Sequence, residues 1–162
     1  NADVTSLDPH IGKETPAVTV TCQIFDTLLT MNEDNEPSPL LAESYEQIDE
    51  RTWKFKLRED VTFHDGEPMT AEDVVFSLNR ARNSNYVSYV VDAISEVTAE
   101  DDYTVVIKTA EPYAPLLASL TVPFTAIVHQ TGGKPGLLPW RAEDKEPGNA
   151  RRSRSFSESY RY

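Results

Sequence analysis

The sequence predicts an α+β fold, a mixed sheet built from hairpins with a few amphipathic helices packed on it. Three observations carry that prediction. From Thr52 to Arg58, Trp53, Phe55 and Leu57 alternate with Thr52, Lys54, Lys56 and Arg58, the period-two pattern of a half-buried strand with one wet face. A second β-rich pair, Ile94–Thr98 and Tyr103–Thr109, flanks the acidic turn Glu100-Asp101-Asp102. Between the two, Ala71, Val74, Val75, Leu78 and Ala81 fall on one stripe of a helix.

Each element follows in chain order. Residues 3–16 read as loop, with Asp8-Pro9 and Thr15-Pro16 as breakers. Val18–Leu29 fits a helix with Gln23 and Asp26 on its polar side, while Val18, Val20 and Ile24 keep a strand reading open. Met31–Ser38 is a polar turn region. Tyr45 and Ile48, before the turn-forming Asp49-Glu50-Arg51, predict a strand that pairs with the one from Thr52. His64-Asp65-Gly66-Glu67-Pro68 breaks the pattern, since Gly66 can take a positive φ and Pro68 cannot extend a ladder. Thr70-Ala71-Glu72-Asp73 has the form of a capping box, with acids in the first turn. Asn83-Ser84-Asn85 ends that helix, and Tyr86–Ile94 reads as a short helix or loop. Pro115–Leu120 is a short helix with proline in its first turn, and Phe124–His129 a last strand.

Composition narrows the function classes. With 162 residues, 39% of them hydrophobic, the chain can bury one core. Its formal net charge of −12 argues against nucleic acid, whose phosphates require Lys and Arg, and against an anionic membrane surface as direct partner. No apolar run approaches the ~20 residues that span a bilayer. Asn1-Ala2 reads as a tag scar, with the natural export signal expected upstream. The single cysteine, Cys22, lies in the apolar run Val18–Leu29 and is expected to be a small buried side chain. His10, His64 and His129 are far apart and lack metal-ligand spacing, so no metal or other cofactor is expected. Adjacent acids such as Glu72/Asp73 or Asp101/Asp102 do not converge on one substrate atom, and no nucleophile elbow, phosphate loop or dinucleotide fingerprint is present. An enzyme is not expected.

Three motifs in order, LAESYE at Leu41–Glu46, TWKFKLREDVTFHDG at Thr52–Gly66 and TAEDVVFSLNR at Thr70–Arg80, resemble the signature region of the family 5 extracellular solute-binding proteins. These are the peptide- and nickel-binding subunits of ABC importers. Leu7-Asp8-Pro9, Gln23–Leu29 and Ile94–Leu120 extend the resemblance, which covers about Ser6 to Val128. It implies a two-lobed, periplasmic-binding-protein-like clamp outside the cytoplasmic membrane, often lipid-anchored, that delivers solute to the importer's membrane subunits. Closure works because ligand contacts with both lobes exist only in the closed state. On this resemblance residues 1–38 are an N-terminal arm of the first lobe, 39–130 an accessory α/β domain, and the chain a fragment without the second lobe. An oligopeptide or dipeptide is the expected solute, with nickel disfavoured by the histidine pattern. The alternative is a stand-alone acidic protein-interaction module without small-ligand binding.

The resemblance also nominates contact residues. Lys13, Glu14 and Thr15 follow the LDP motif, and Lys13 or Glu14 could capture a peptide terminus, although exposed loop charges are ordinarily just solvated. Tyr86 and Tyr89 lie in a segment that reaches toward the family's cleft, with packing on the domain's own core as the competing reading. Trp53 and Phe55 read as core, and Asp65 and Gly66 as turn formers. Residues 131–162 differ from the rest. They carry seven Lys/Arg against four Asp/Glu, net +3, where the preceding residues carry eight against twenty-three, net −15. This basic tail reads as a linker or as sequence out of frame, in preference to a basic docking arm.

Overall fold

The computed structural model describes residues 6–11 and 15–130. Helix α1 spans Thr15–Thr21, with Pro16 in its first turn, where a missing N–H costs no helix bond. The chain then turns and runs extended from Phe25, so the helix expected over Val18–Leu29 stops at Thr21. Its second half instead leads into strand β1 (Leu29–Met31), paired antiparallel with β2 (Pro37–Pro39). The polar stretch between them is the hairpin turn. Asn32 Oδ1 accepts the amides of Asp34 and Glu36, both at 2.9 Å, and Asn35 takes the left-handed φ of 61° that asparagine tolerates.

Strands β3 (Ala42–Asp49), β4 (Thr52–Leu57), β5 (Ile94–Asp101) and β6 (Thr104–Thr109) form a four-stranded sheet in the order β3-β4-β6-β5. Both expected hairpins are present, and Glu50-Arg51 joins the first pair. Every pairing among the described residues is antiparallel, which narrows the expected mixed sheet: hairpin neighbours run in opposite directions, and β4 meets β6 antiparallel as well.

The sheet has two unlike faces because side chains alternate. Tyr45, Trp53, Phe55, Val105, Ile107 and Val97 share the inner face in register, with the Tyr45 ring tilted against Trp53 at 6.2 Å and against Phe55 at 6.0 Å. The outer face carries the ion pairs Lys54–Glu100, Lys56–Glu43 and Lys108–Glu96 in solvent. Helix α2 (Ala71–Arg82) lies against the inner face at β5 and β6, burying Val74, Leu78 and Ala81. The short helix α3 (Leu116–Ser119) adds Leu116 to the same core.

The break at His64–Pro68 is a tight loop. The Phe63 amide donates to the Glu67 carbonyl at 2.8 Å, the Gly66 amide to Phe63 at 2.9 Å, and Gly66 takes φ 91°. That fold-back buries Phe63 and Met69 under α2. Pro123–Thr125 forms a 3-10 turn, and the strand expected over Phe124–His129 is not in a ladder. Residues 126–130 are extended but sewn to separate elements: the Ile127 amide donates to Asp26 O at 2.9 Å, and the Val128 amide to Ser77 Oγ at 2.8 Å. Cys22 is half-buried rather than buried, since it sits just past the end of α1.

Candidate functional site

The N-cap of α2 is built as its sequence requires. The Asp73 carboxylate accepts the Thr70 amide at 2.9 Å and the Thr70 hydroxyl at 3.0 Å. Its other oxygen accepts the Gln130 amide at 3.1 Å, so the buried capping acid also anchors the end of the 126–130 segment. One turn along, buried Ser77 donates to the Asp73 carbonyl at 2.7 Å while accepting the Val128 amide. His129 stacks on Phe63 at 4.4 Å between Asp65 and Asp73, with Nδ1 3.5 Å from Asp65 Oδ2.

The C-terminal half of α2 holds the N-terminal segment. Arg80 forks onto Asp8, Nη1 donating to Oδ1 at 2.8 Å and Nη2 donating to Oδ2. The same Nη1 lies 2.8 Å from His10 Nδ1, and His10 Nε2 lies 3.1 Å from the Ala126 carbonyl oxygen. These partners fix the tautomer. Arginine can only donate and a carbonyl can only accept, so Nδ1 carries the lone pair and Nε2 the proton. Burial of the ring, then the charge of Arg80, lowers the His10 pKa to about 4, against opposing pulls from Asp8 and the Ala126 bond. Burial works to raise the Asp8 carboxyl, but the hydrogen bonds from Arg80 and the His10 amide, with Arg80's charge, hold it below its ordinary value.

Ser84 extends this network. Its hydroxyl donates to the His10 carbonyl at 2.6 Å and accepts the Tyr86 amide at 3.1 Å. The backbone that leads toward Thr15 is therefore tied to the backbone that carries Tyr86. Tyr86 is 46% exposed and Tyr89 65%, the latter on a 3-10 turn at Ser88–Val90. The competing expectation, that both rings pack into the domain's own core, does not describe Tyr89. Thr15 is exposed at the start of α1, and Ile11 is 45% exposed. Lys13 and Glu14 lie outside the described residues, as does the Arg-rich segment after Gln130. Two shallow concavities, one beside Lys56 and Arg58 and one along α2, are lined by none of Thr15, Tyr86 or Tyr89.

Sequence reasoning missed Asp8, His10, Arg80 and Ser84 as a unit. Asp8 and Arg80 each sit in a motif already noted, but nothing local couples positions seventy-two residues apart.

The model of the bacterial extracellular solute-binding proteins, family 5 Middle, matches residues 36–156. The chain belongs to this family. The match runs past the point near Val128 where the resemblance was expected to stop, and includes most of the basic segment. The chain is 33% identical to the periplasmic oligopeptide-binding protein OppA of Escherichia coli over 91% of its own length and 30% of that protein's. The fold matches OppA of Listeria monocytogenes bound to peptide with a TM-score of 0.73, at 26% identity over 79% of this chain and 29% of that one. It also matches a nickel ABC transporter structure from Bacillus halodurans with a TM-score of 0.71, at 37% identity over 83% and 28%. The family 5 chain thus spans less than a third of these relatives' length. The family is one of solute-binding proteins rather than enzymes.

Proposed function

We propose that this chain supplies the N-terminal part of an extracytoplasmic receptor that binds an oligopeptide or dipeptide and delivers it to the membrane subunits of an ABC importer. In this reading residues 1–38 are an arm of the first lobe, residues 39–130 an accessory domain, and the second jaw comes from sequence beyond this chain. The observation that supports it is the tie from His10 through Ser84 to Tyr86, which joins the backbone just after the LDP motif to the backbone that carries Tyr86. Thr15, Tyr86 and Tyr89, with Lys13 and Glu14, are the proposed contacts. Exposed tyrosines offer apolar area with a polar tip, the chemistry that grips a peptide without reading its sequence closely.

Peptide is favoured over nickel because two of the three histidines, His10 and His129, are engaged elsewhere and His64 lies exposed in its tight loop. Both ring nitrogens of His10 have partners, and His129 stacks on Phe63 beside Asp65. Isothermal titration of the complete receptor tests the reading. Peptide should bind, and Tyr86→Ala should weaken it by about 1–2 kcal/mol. Binding that Tyr86→Ala and Tyr89→Ala leave unchanged, or uptake of nickel but no peptide, would overturn it.

A further inference from the structure

His10 occupies an unusual position among the described residues. It is 1% exposed, it belongs to a segment joined to the helical layer by few bonds, and both its ring nitrogens are committed to partners of opposite kind. Nδ1 must stay unprotonated to accept from Arg80, and Nε2 must stay protonated to reach the Ala126 carbonyl. A second proton on the ring can go only onto Nδ1. It would place an N–H against the guanidinium N–H already there, at 2.8 Å, and add positive charge beside Arg80. Asp8 and Arg80 are the charged groups that face the ring; Arg80 engages both Asp8 oxygens, and Oδ1 also accepts the His10 amide. Asp8 favours the charged ring, but burial and the charge of Arg80 outweigh it.

We propose that His10 is an acid-sensitive pin: protonation at Nδ1 expels the ring from between Arg80 and Ala126, frees the backbone around His10 while the Asp8–Arg80 fork stays closed, and loosens the Tyr86 loop through Ser84. The route is continuous. His10 Nε2 holds Ala126, its backbone carbonyl holds the Ser84 hydroxyl, and Ser84 holds the Tyr86 amide. The sheet is not on this route, because its core packs on the Val74, Leu78 and Ala81 side of α2. Release is local, and the hairpins stay folded. The lowered basicity of the ring fits, since a pKa of about 4 against 6.5 is roughly a 300-fold weaker hold on a proton. That the freed segments are ligand-facing rests on the function proposed above; the opening itself does not.

The test is an NMR pH titration of the 162-residue chain from pH 7.5 to 3.5, following the His10 ring carbons and backbone amides. The expected result is a His10 midpoint near 4, with the amides of Ile11, Ser84, Tyr86 and Ile127 shifting at the same midpoint. Val105 and Ile107 should hold their shifts. In His10→Gln, which does not titrate, the coupled shifts should vanish. A midpoint near 6.5, amides that ignore the His10 transition, or loss of the sheet signals at the same pH would each overturn the pin. Should His10→Gln fail to fold, the wild-type titration still decides. None of these outcomes depends on a peptide binding, so the pin and the proposed function fail separately.

Discussion

Arg80 grips Asp8 across seventy-two residues of chain, with both guanidinium nitrogens on both carboxylate oxygens, and spends its remaining Nη1 donor on His10. One side chain of α2 thereby fixes the N-terminal segment of the protein. Arginine suits the position because its planar fork matches a carboxylate, which an ammonium cannot do.

Arg80→Ala should cost about 1–3 kcal/mol, since it strands a partly buried carboxylate and an imidazole lone pair together. Arg80→Lys should recover only part of that loss. Urea denaturation of the three proteins checks the order wild type, Lys, Ala. An alanine variant as stable as wild type would mean that the fork contributes nothing.

Acid should destabilise the fold in two stages. Unfolded His10 binds a proton as pH falls through 6.5, but folded His10 does so only near 4, so stability drops across that window by up to about 3 kcal/mol. Asp8, with its pKa depressed in the fold, adds a loss of the same sign as pH falls below 3.8. Thermal melts at half-unit pH intervals should show the midpoint falling below pH 6.5. In His10→Gln the first stage should be absent.

Ser77→Ala should cost about 1–3 kcal/mol although it removes one oxygen, because the half-buried Val128 amide would lose its partner. Chemical denaturation measures it, and a loss below about 0.5 kcal/mol would show that water replaces the hydroxyl.

Gly66→Ala isolates backbone strain. A Cβ there meets nothing within 4 Å, so only the φ of 91° opposes it. A loss of about 1–2 kcal/mol is expected, and Gly66→Asn should lose less. On the outer sheet face, Lys108→Ala should leave the denaturation midpoint unmoved, because its pair with Glu96 lies in solvent.

The parts of the fold written in local pattern were legible. The alternation through Phe55, the acidic turn after Ala99 and the Thr70 cap each carry their own structural signal within a few residues. What escaped depends on distant partners. Val18 to Leu29 is apolar enough for one long helix, yet the chain leaves α1 at Thr21 so that Leu28 and Leu29 can enter the core. β2 hides in Pro37-Ser38-Pro39, because prolines weaken any strand reading although they are tolerated on an edge. Asp73 and Ser77 look like the polar side of α2, and only the returning segment at Val128 and Gln130 explains their burial. For the site, Tyr86 and Tyr89 were nominated by resemblance, whereas the network that positions Tyr86 has no local signature at all.

The central claim is that this chain is one jaw of a peptide clamp, and a thermal melt with a saturating mixed peptide library tests it most directly. The account predicts no shift for the 162-residue chain and a clear upward shift for the complete receptor, about 2.7 kcal/mol for a ligand at a hundred times its dissociation constant. A comparable shift in the short chain, or none in the complete receptor, would contradict it.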